Sequence, residues 1–335
     1  MKGRERIQVL SIFNMLVALI VIMLGGCSSA PEKVEEKVYD VFYNTSILQN
    51  VIRLTNDGVS KFLPRVSPDG TKMLYCERAT NGQISIILLR DVNNSVKTPL
   101  ITGGYAYDPA WSENNNHFLY TLRDKDKYRI LRTAITGGGR TYITNNPVGT
   151  LDEDPCIKGN LILISTRIDG RRTLISMNSN GTEVSFLGEG YRPSWHPLEN
   201  KCVFIRSGNI YEMDMDSFQV SMLYDDPKFA CDYPSYSPDG KYIIFQKNVE
   251  IIIEEAKKGS FLSALFFGSS GARDAVTDTV SQIFIIKVDG TGLSTVTISE
   301  VDTLNPFWDS KNYVNFVSNA SGKYEIYRAR INPPN

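Results

Sequence analysis

A four-residue phrase that occurs twice constrains the fold of this chain more than any other feature. Ser67-Pro68-Asp69-Gly70 and Ser237-Pro238-Asp239-Gly240 each precede an apolar stretch with alternating side-chain directions. Proline presets φ for a tight turn, aspartate can bond its own backbone, and glycine tolerates the positive φ that closes a hairpin. Each phrase therefore predicts a strand, a turn and a second strand, and its recurrence indicates an internal repeat.

Prolines two or three residues before the turn mark six copies of this unit. These anchor prolines are Pro64, Pro109, Pro155, Pro193, Pro234 and Pro306, at spacings of 45, 46, 38, 41 and 72 residues. After each anchor come two β-rich stretches separated by Gly, Asn and Asp. A period of about 40–45 residues with four short strands per unit is typical of a β-propeller blade. The sequence thus predicts an all-β fold, a six-bladed β-propeller of four-stranded blades.

Two further features support a closed ring of blades. Large aromatic residues two positions after four anchors should fill the space between blades: Trp111, Trp195, Tyr236 and Trp308. The C-terminal unit supplies only three strands, whereas residues 50–56 look like the last strand of a unit without its first three. We expect residues 50–56 to pair with a strand near 323–331 and complete the sixth blade, which joins the two ends of the chain.

The repeat resembles that of TolB-type propellers, in which Pro-x-Trp-Ser-Pro-Asp-Gly leads into an apolar strand and then a Gly-flanked Ile-Tyr strand. The resemblance covers about residues 50–332. It implies a propeller fold, and since TolB-like proteins are periplasmic partners of envelope lipoproteins, it also points to binding of an envelope protein. This chain differs from that family in its own lipidation signal and in lacking an N-terminal α/β domain of adequate size.

The first 26 residues have the pattern of an export signal, with a basic start and a mostly apolar stretch at 7–24. Leu24-Gly25-Gly26-Cys27 resembles the lipobox of bacterial lipoproteins, in which the cysteine thiol takes the lipid. The sequence predicts a cleaved lipoprotein signal peptide at 1–26, a lipidated tether at 27–45 and the propeller at 46–335. The alternative is an uncleaved membrane anchor. Either interpretation predicts a protein of the bacterial cell envelope, facing the periplasm or the cell surface, and Ser28 favours the outer membrane.

Composition narrows the partners further. The full chain carries a net charge of −1 and has no basic patch, so nucleic acid is not expected as a partner. Four cysteines follow Cys27 without a C-x-x-C pair: Cys76, Cys156, Cys202 and Cys231. Cys76 and Cys202 lie in strand patterns and are predicted to be small core residues, while the sequence leaves disulfide pairing open.

The sequence contains no recognisable catalytic set. The two histidines, His117 and His196, come from different blades and each has a local structural explanation. Residues 268–272 read Gly-Ser-Ser-Gly-Ala, which lacks the final glycine and the preceding strand of a nucleophile elbow. We therefore expect a non-enzymatic protein that needs no metal or cofactor.

Acidic residues cluster just before the anchor prolines. Asp108 and Asp154 directly precede two anchors, and Asp152 and Asp232 lie close by. The segment that enters the innermost strand of a blade lies at one rim of the channel, so these carboxylates should line one channel mouth. They could bind a cation or a basic peptide there. The alternative is ordinary turn chemistry of aspartate before proline.

An insertion at about 249–280 accounts for the spacing of 72 residues. It contains an apolar cluster within a hairpin connection, although connections normally lie on the surface. The cluster consists of Phe261, Leu262, Leu265, Phe266 and Phe267. An exposed patch of this kind marks a protein or membrane contact, and the alternative is that it folds back over the side of the propeller.

These features predict a lipid-anchored cell-envelope propeller that acts as a non-enzymatic protein-binding scaffold. Its partners would be an envelope protein of unspecified identity and the membrane, through the lipid on Cys27. The alternative function is an enzyme or ligand sensor that acts on a glycan or peptide at the channel mouth.

Overall fold

The computed structural model describes residues 41, 43–92, 94–145, 151–253 and 276–334. Within these residues, 24 strands form six blades of four antiparallel strands each, and a single parallel bridge between Ile84 and Tyr105 joins the sheets of blades 1 and 2. The predicted all-β six-bladed propeller is therefore confirmed. No helix in this part of the chain has the length and apolar character needed to cross a membrane. The predicted signal peptide and Cys27 lie outside the described residues.

The blades follow one another along the chain, each from its innermost to its outermost strand. Blade 1 contains β2 (Ser60–Val66), β3 (Met73–Arg78), β4 (Ile84–Asp91) and β5 (Asn94–Ile101). Blade 2 contains β6 (Tyr105–Trp111), β7 (His117–Asp124), β8 (Lys127–Ala134) and β9 (Thr141–Tyr142). Blade 3 contains β10 (Glu153–Lys158), β11 (Leu161–Ile168), β12 (Arg171–Asn178) and β13 (Ser185–Glu189).

The second half of the ring repeats this order and then departs from it in blade 6. Blade 4 contains β14 (Tyr191–Trp195), β15 (Lys201–Arg206), β16 (Asn209–Asp214) and β17 (Val220–Tyr224). Blade 5 contains β18 (Cys231–Tyr236), β19 (Tyr242–Ile253), β20 (Val276–Lys287) and β21 (Ser294–Thr295). Blade 6 contains β22 (Thr303–Trp308), β23 (Tyr313–Ser318), β24 (Glu325–Ile331) and, outermost, β1 (Leu48–Arg53).

The N-terminal strand closes the ring, as the sequence predicts. β1 pairs antiparallel with β24, with Leu48 opposite Ile331 and Arg53 opposite Tyr327. The residues just before β1 add a contact to blade 5, where the Asn44 N–H donates to the carbonyl of Val296 at 3.0 Å. The start of the described chain is thus joined to the last two blades.

The apolar core is divided among the interfaces between blades. Six buried clusters are found in the described residues, and each joins two neighbouring blades around the ring. Three of the aromatic residues predicted to fill these spaces, Trp111, Tyr236 and Trp308, are buried members of such clusters. Trp195 is partly buried against a fourth cluster. Cys76 and Cys202 are fully buried core residues, as predicted, and all four cysteines after Cys27 are free thiols.

The anchor prolines lie at a β-bulge in every innermost strand. In each blade, the anchor and the residue before it oppose a single residue of the second strand. Proline cannot donate to a β-ladder, so a bulge is one of the few places where a strand accepts it. The opposing residues are all fully buried: Tyr75, Tyr120, Ile164, Phe204, Phe245 and Phe316.

The Ser-Pro-Asp-Gly phrase forms the turn between the first and second strands of a blade. In blade 5, Ser237 Oγ donates to the Asp239 carboxylate at 2.6 Å, and Gly240 has a φ of +72°. His196 of blade 4 packs against this turn, with Nε2 3.2 Å from the Gly240 carbonyl oxygen. Its Nδ1 accepts the N–H of Glu199 at 2.9 Å, so Nε2 carries the proton and donates. The phrase therefore shapes a turn that also connects two blades.

The insertion predicted at 249–280 begins and ends as strand. β19 and β20 are each 12 residues long, and they pair without a register shift from Tyr242 opposite Lys287 to Ile253 opposite Val276. The other described strands have at most 8 residues. Residues 249–253 and 276–280 are thus a paired ribbon, where the sequence pattern indicated a loop. The apolar cluster at 261–267 lies outside the described residues.

A buried ion pair connects blade 6 to blade 1. The Lys61 ammonium, whose side chain is fully buried, lies 3.1 Å from a Glu325 carboxylate oxygen and also contacts Asp57. Glu325 in turn accepts the Thr55 hydroxyl at 2.5 Å and the Gly58 N–H at 3.1 Å. Because this network joins β2, β24 and the segment after β1, it holds the closing strand against both blades.

We predict that Lys61→Met destabilises the ring far more than Lys97→Met. Both lysines pair with Asp57, but the Lys97 side chain is 40 % exposed. Removing one partner of a buried pair costs about 3–5 kcal/mol, whereas an exposed pair contributes about 1 kcal/mol or less. Chemical unfolding of both variants measures the difference, and equal losses would contradict a closing function for the buried pair.

We also predict that Gly240→Ala is more harmful than Gly82→Ala. Both glycines have positive φ, but a Cβ on Gly240 would clash with the imidazole of His196, whereas nothing lies within 4 Å of one on Gly82. The left-handed conformation alone costs about 1–2 kcal/mol, so Gly240→Ala should lose about 1 kcal/mol more through the clash. Adding His196→Ala should recover part of this difference in unfolding free energy, and no recovery would exclude the clash as its cause.

Candidate functional site

Six side chains surround the channel at the level of the bulges. Each is the residue before an anchor proline, and each has a φ between 50 and 55°. Non-glycine residues rarely adopt this conformation, so its presence in all six blades reflects the bulge itself rather than any one side chain. We call this set the bulge ring, and its members are Leu63, Asp108, Asp154, Arg192, Tyr233 and Asn305.

Neighbouring members of the bulge ring are connected through their backbones. The Asp154 N–H donates to Asp108 Oδ2 at 3.4 Å, and the Arg192 N–H donates to Asp154 Oδ2 at 3.4 Å. At the junction of blades 6 and 1, the Leu63 N–H donates to Asn305 Oδ1 at 3.2 Å. Acceptor side chains at this position therefore satisfy an N–H of the next blade that the bulge leaves outside the ladder.

Arg192 is the cationic partner of the acidic side chains at the bulge ring. Its Nη1 donates to Asp154 and lies 3.4 Å from Asp108, while its Nε lies 3.4 Å from Asp232. The guanidinium also stacks on the ring of Tyr233, 4.0 Å from the centroid. One arginine of blade 4 thus contacts side chains of blades 2, 3 and 5.

Two carboxyl groups of this cluster, those of Asp108 and Asp232, have pKa values raised above their ordinary range. Burial raises the pKa of Asp108 to about 7, the charge of Asp154 adds to that rise, and Arg192 opposes it. Burial also raises the pKa of Asp232, again against the attraction of Arg192. Near neutral pH, Asp108 therefore exchanges a proton. The charge of the cluster changes in the pH range in which a ligand would bind.

Three of the four predicted acids come together in this cluster, and one does not. Asp108 and Asp154 belong to the bulge ring, and Asp232 lies beside it. Asp152 is buried and accepts the Thr166 hydroxyl of β11 at 2.7 Å, so its carboxylate is used within the protein and lies apart from the cluster. The predicted cation or basic peptide would have to compete with Arg192 for the same carboxylates, and that prediction stays open.

Sequence reasoning missed the residue that organises the site. Arg192 occupies the same repeat position as Asp108 and Asp154, directly before an anchor proline. Comparing all six pre-proline positions, instead of selecting the acidic ones, would have found it. The histidines are separate from this cluster: His196 supports a turn, and His117 begins β7. Among the described residues, no group of three or more His, Cys, Asp or Glu has the arrangement to hold a metal ion.

A cavity of about 380 Å³ extends from the bulge ring to the mouth formed by the turns between first and second strands. Its floor includes Asp108, Asp154 and Arg192, and its rim includes Pro68 and Pro238. The wall between them consists of the residues that follow the anchor prolines. We call this set the second layer, and its members are Arg65, Ala110, Cys156, Ser194, Ser235 and Phe307.

The geometry defines a propeller with a charged bulge ring and a cavity on its axis, and known structures show the same fold. TolB from Acinetobacter baumannii superposes with a TM-score of 0.58 at 15% identity, over 76% of this chain and 58% of that chain. A putative TolB from Agrobacterium tumefaciens superposes with a TM-score of 0.57 at 15% identity, over 88% of this chain and 100% of that chain. An oligogalacturonate lyase in complex with manganese superposes with a TM-score of 0.53 at 15% identity, over 88% of this chain and 96% of that chain.

These likenesses show that the chain has a TolB-like propeller fold, as the repeat indicates. The chain spans 58% of the length of the Acinetobacter protein. No protein-family model and no curated protein sequence matches it. Since the similar structures include both TolB and a lyase, the fold alone does not separate a binding protein from an enzyme.

We predict that Asp108→Asn stabilises the protein above pH 7 but not at acid pH. The pKa of Asp108 is raised from 3.8 to about 7 on folding, so the stability of the folded state falls as the pH rises between these values. Asparagine keeps an acceptor oxygen for the Asp154 N–H but cannot ionise. The thermal midpoints of the two proteins should therefore separate between pH 5 and pH 8, by the equivalent of about 1 kcal/mol or more.

The exposed turn residue Asp126 supplies the control. Asp126→Asn should leave the difference from the wild type the same at both pH values. If Asp108→Asn shifts the thermal midpoint equally at pH 5 and pH 8, or lowers it only at pH 8, the raised pKa of Asp108 is wrong.

Proposed function

We propose that this protein is a lipid-anchored cell-envelope propeller that binds another envelope protein and is not an enzyme. The observation that carries the proposal is the ribbon formed by β19 and β20. The lipid anchor on Cys27 rests on the sequence alone, since that residue lies outside the described part of the chain.

The ribbon extends beyond the blade that it belongs to. β18 pairs with β19 only as far as Lys247, and β21 pairs with β20 only at Phe284 and Ile285. From residue 248 onward, the described strands of the ribbon therefore pair only with each other. An isolated two-stranded ribbon is marginally stable in water and has unpaired edges, so it favours a state in which something covers it.

Contacts at the base of the ribbon hold it in a defined direction. The Ser281 hydroxyl donates to Asn248 Oδ1 at 2.7 Å, and the Ser281 N–H donates to Asp302 at 2.9 Å. Lys228 pairs with Glu250 at 2.6 Å, which connects the ribbon to the segment before β18. The second and third strands of a blade meet at the face opposite the Ser-Pro-Asp-Gly turns, so the ribbon leads the chain away at that face.

The apolar cluster follows directly from this stem in the sequence. Residues 254–275 connect the two strands and include Phe261, Leu262, Leu265, Phe266 and Phe267. Aromatic and aliphatic side chains of this kind are the apolar anchors on which binding interfaces depend. The export signal and the resemblance to TolB-type repeats favour an envelope protein as the partner.

The ion pairs of the bulge ring favour this proposal over the alternative of an enzyme or sensor at the acidic mouth. A catalytic carboxylate has to be accessible to its substrate. Here Asp154 is engaged by Arg192, by the neighbouring strand β11 of its own blade through Ser165 at 2.6 Å, and by the backbone of the next blade. The alternative would require a substrate that displaces Arg192, and turnover of a glycan or peptide would support it.

Shortening the ribbon connection tests the proposal. Residues 254–275 are replaced by Asn-Gly, a pair suited to a two-residue hairpin turn between Ile253 and Val276. We expect the shortened protein to lose a partner that co-purifies with the wild type from native envelopes. Its thermal midpoint should change little, because the register of β19 and β20 is kept.

A matched pair of triple variants separates this effect from general surface hydrophobicity. The test variant is Phe261→Ser, Leu265→Ser and Phe266→Ser. The control changes two phenylalanines and one leucine that are 58–73 % exposed elsewhere, Phe186, Leu198 and Phe218. The proposal expects loss of the partner only in the test variant. Unfolding of the test variant would assign the cluster to the core, and equal retention by both variants would exclude it as the binding element.

A further inference from the structure

We propose that the channel cavity is a binding site for a carboxylate attached to an apolar body, and that Arg65 pairs with the carboxylate. The cavity opens at the face of the Ser-Pro-Asp-Gly turns, whereas the ribbon leaves from the opposite face. The site is therefore independent of the proposed protein-binding function.

Arg65 is the one charged residue of the second layer. Its Nη1 donates to the carbonyl of Pro64 at 2.9 Å, and its guanidinium stacks on Phe307, 5.4 Å from the ring centroid. No carboxylate of the described residues lies within 4.0 Å of it, in contrast to Arg192, and Asp108 attracts it only from beyond that distance. A guanidinium has five N–H donors, so most of its capacity to bind an oxyanion is unused.

The backbone of Arg65 is held in place by the neighbouring blade. Trp111 Nε1 of blade 2 donates to the Arg65 carbonyl at 2.8 Å. Phe307 of blade 6 supports the side chain from the other side. The guanidinium is thus held on the cavity wall between two blades, and a ligand would meet a positioned charge instead of a flexible surface arginine.

Above the floor, the rest of the lining is uncharged and consists mainly of prolines, aromatic rings and serines. The other second-layer side chains are small or aromatic. Arg65 supplies the one formal charge of the wall, and no acid of the second layer balances it, which favours an anionic ligand over a cationic one there.

The floor explains why the carboxylate binds at Arg65 and not deeper. Arg192 is already paired with Asp154, so a second carboxylate there would meet an occupied guanidinium and a like charge. The cavity volume lies at the low end of the range for small-molecule sites, about 300–1,000 Å³. It fits a small aromatic acid or the last residues of a peptide with a free C-terminus, and both present the same chemistry.

Intrinsic fluorescence can measure binding without a label. The chain has three tryptophans, and all of them, Trp111, Trp195 and Trp308, line this cavity. The first arm titrates the protein with 3-phenylpropionate and with its neutral amide. The second arm uses an acetylated Ala-Ala-Phe tripeptide with either a free or an amidated C-terminus.

We expect both free acids to give a saturable change in fluorescence, with dissociation constants of about 1 mM or below. The amides should bind at least about tenfold more weakly, because they lack the charge that pairs with Arg65. If the tripeptide acid binds more tightly, the natural source of the carboxylate is a peptide end. If 3-phenylpropionate binds more tightly, the source is a small organic acid.

Substitution of the arginine supplies the second readout. Arg65→Gln should weaken both acids at least about tenfold, and Arg65→Lys should weaken them less, since it keeps the charge but not the fork of donors. The control is Arg78→Gln, an exposed arginine that stacks on Phe62 outside the cavity and should leave both affinities unchanged. No saturable change with either acid, equal binding of acids and amides, or unaltered affinity in Arg65→Gln would each overturn the proposal. The comparison of acids with amides uses the wild type, so it decides the matter even if Arg65→Gln does not fold.

Discussion

The antiparallel pairing of β1 with β24 is the interaction on which the rest of the ring depends. Because each apolar cluster lies between two blades, no blade is stable without both neighbours. Ile47 and Leu48 belong to the cluster between blades 5 and 6, and Leu54 packs on the one between blades 6 and 1. Loss of the closing strand would open both interfaces at once. The buried pair of Lys61 and Glu325 strengthens the same junction.

The charged groups of the channel are arranged in layers with different tasks. At the bulge ring, Arg192 balances carboxylates from three blades, so charge there stabilises the contact between blades. One layer further on, Arg65 lacks such a partner in the described structure and faces a cavity. The charges of the bulge ring are paired with one another, whereas the charge of the second layer is available to a ligand.

Most of the fold could be predicted from the sequence because the repeat is local. A proline, a tight turn and two apolar strands recur in register, and the orphan strand before blade 1 indicates the closure. The bulges could not be predicted from the sequence, because a proline inside an apparent strand can also mark an edge strand or the start of a strand. For the site, three of the four predicted acids lie together in one cluster, and Asp152 lies apart from it. Arg192 was missed because its importance comes from three residues that lie 38, 84 and 40 positions away in the sequence.

The bulge ring separates backbone geometry from side-chain chemistry. All six positions have nearly the same φ, although they carry one aliphatic, one aromatic, one amide, one cationic and two acidic side chains. The bulge and its proline therefore accept side chains of very different chemistry, because the conformation is imposed by the strand pairing. A propeller built in this way presents six side chains around one axis from a single backbone conformation. The charge pattern of its channel can be changed without a change in backbone geometry, as long as the hydrogen bonds and ion pairs between blades are replaced.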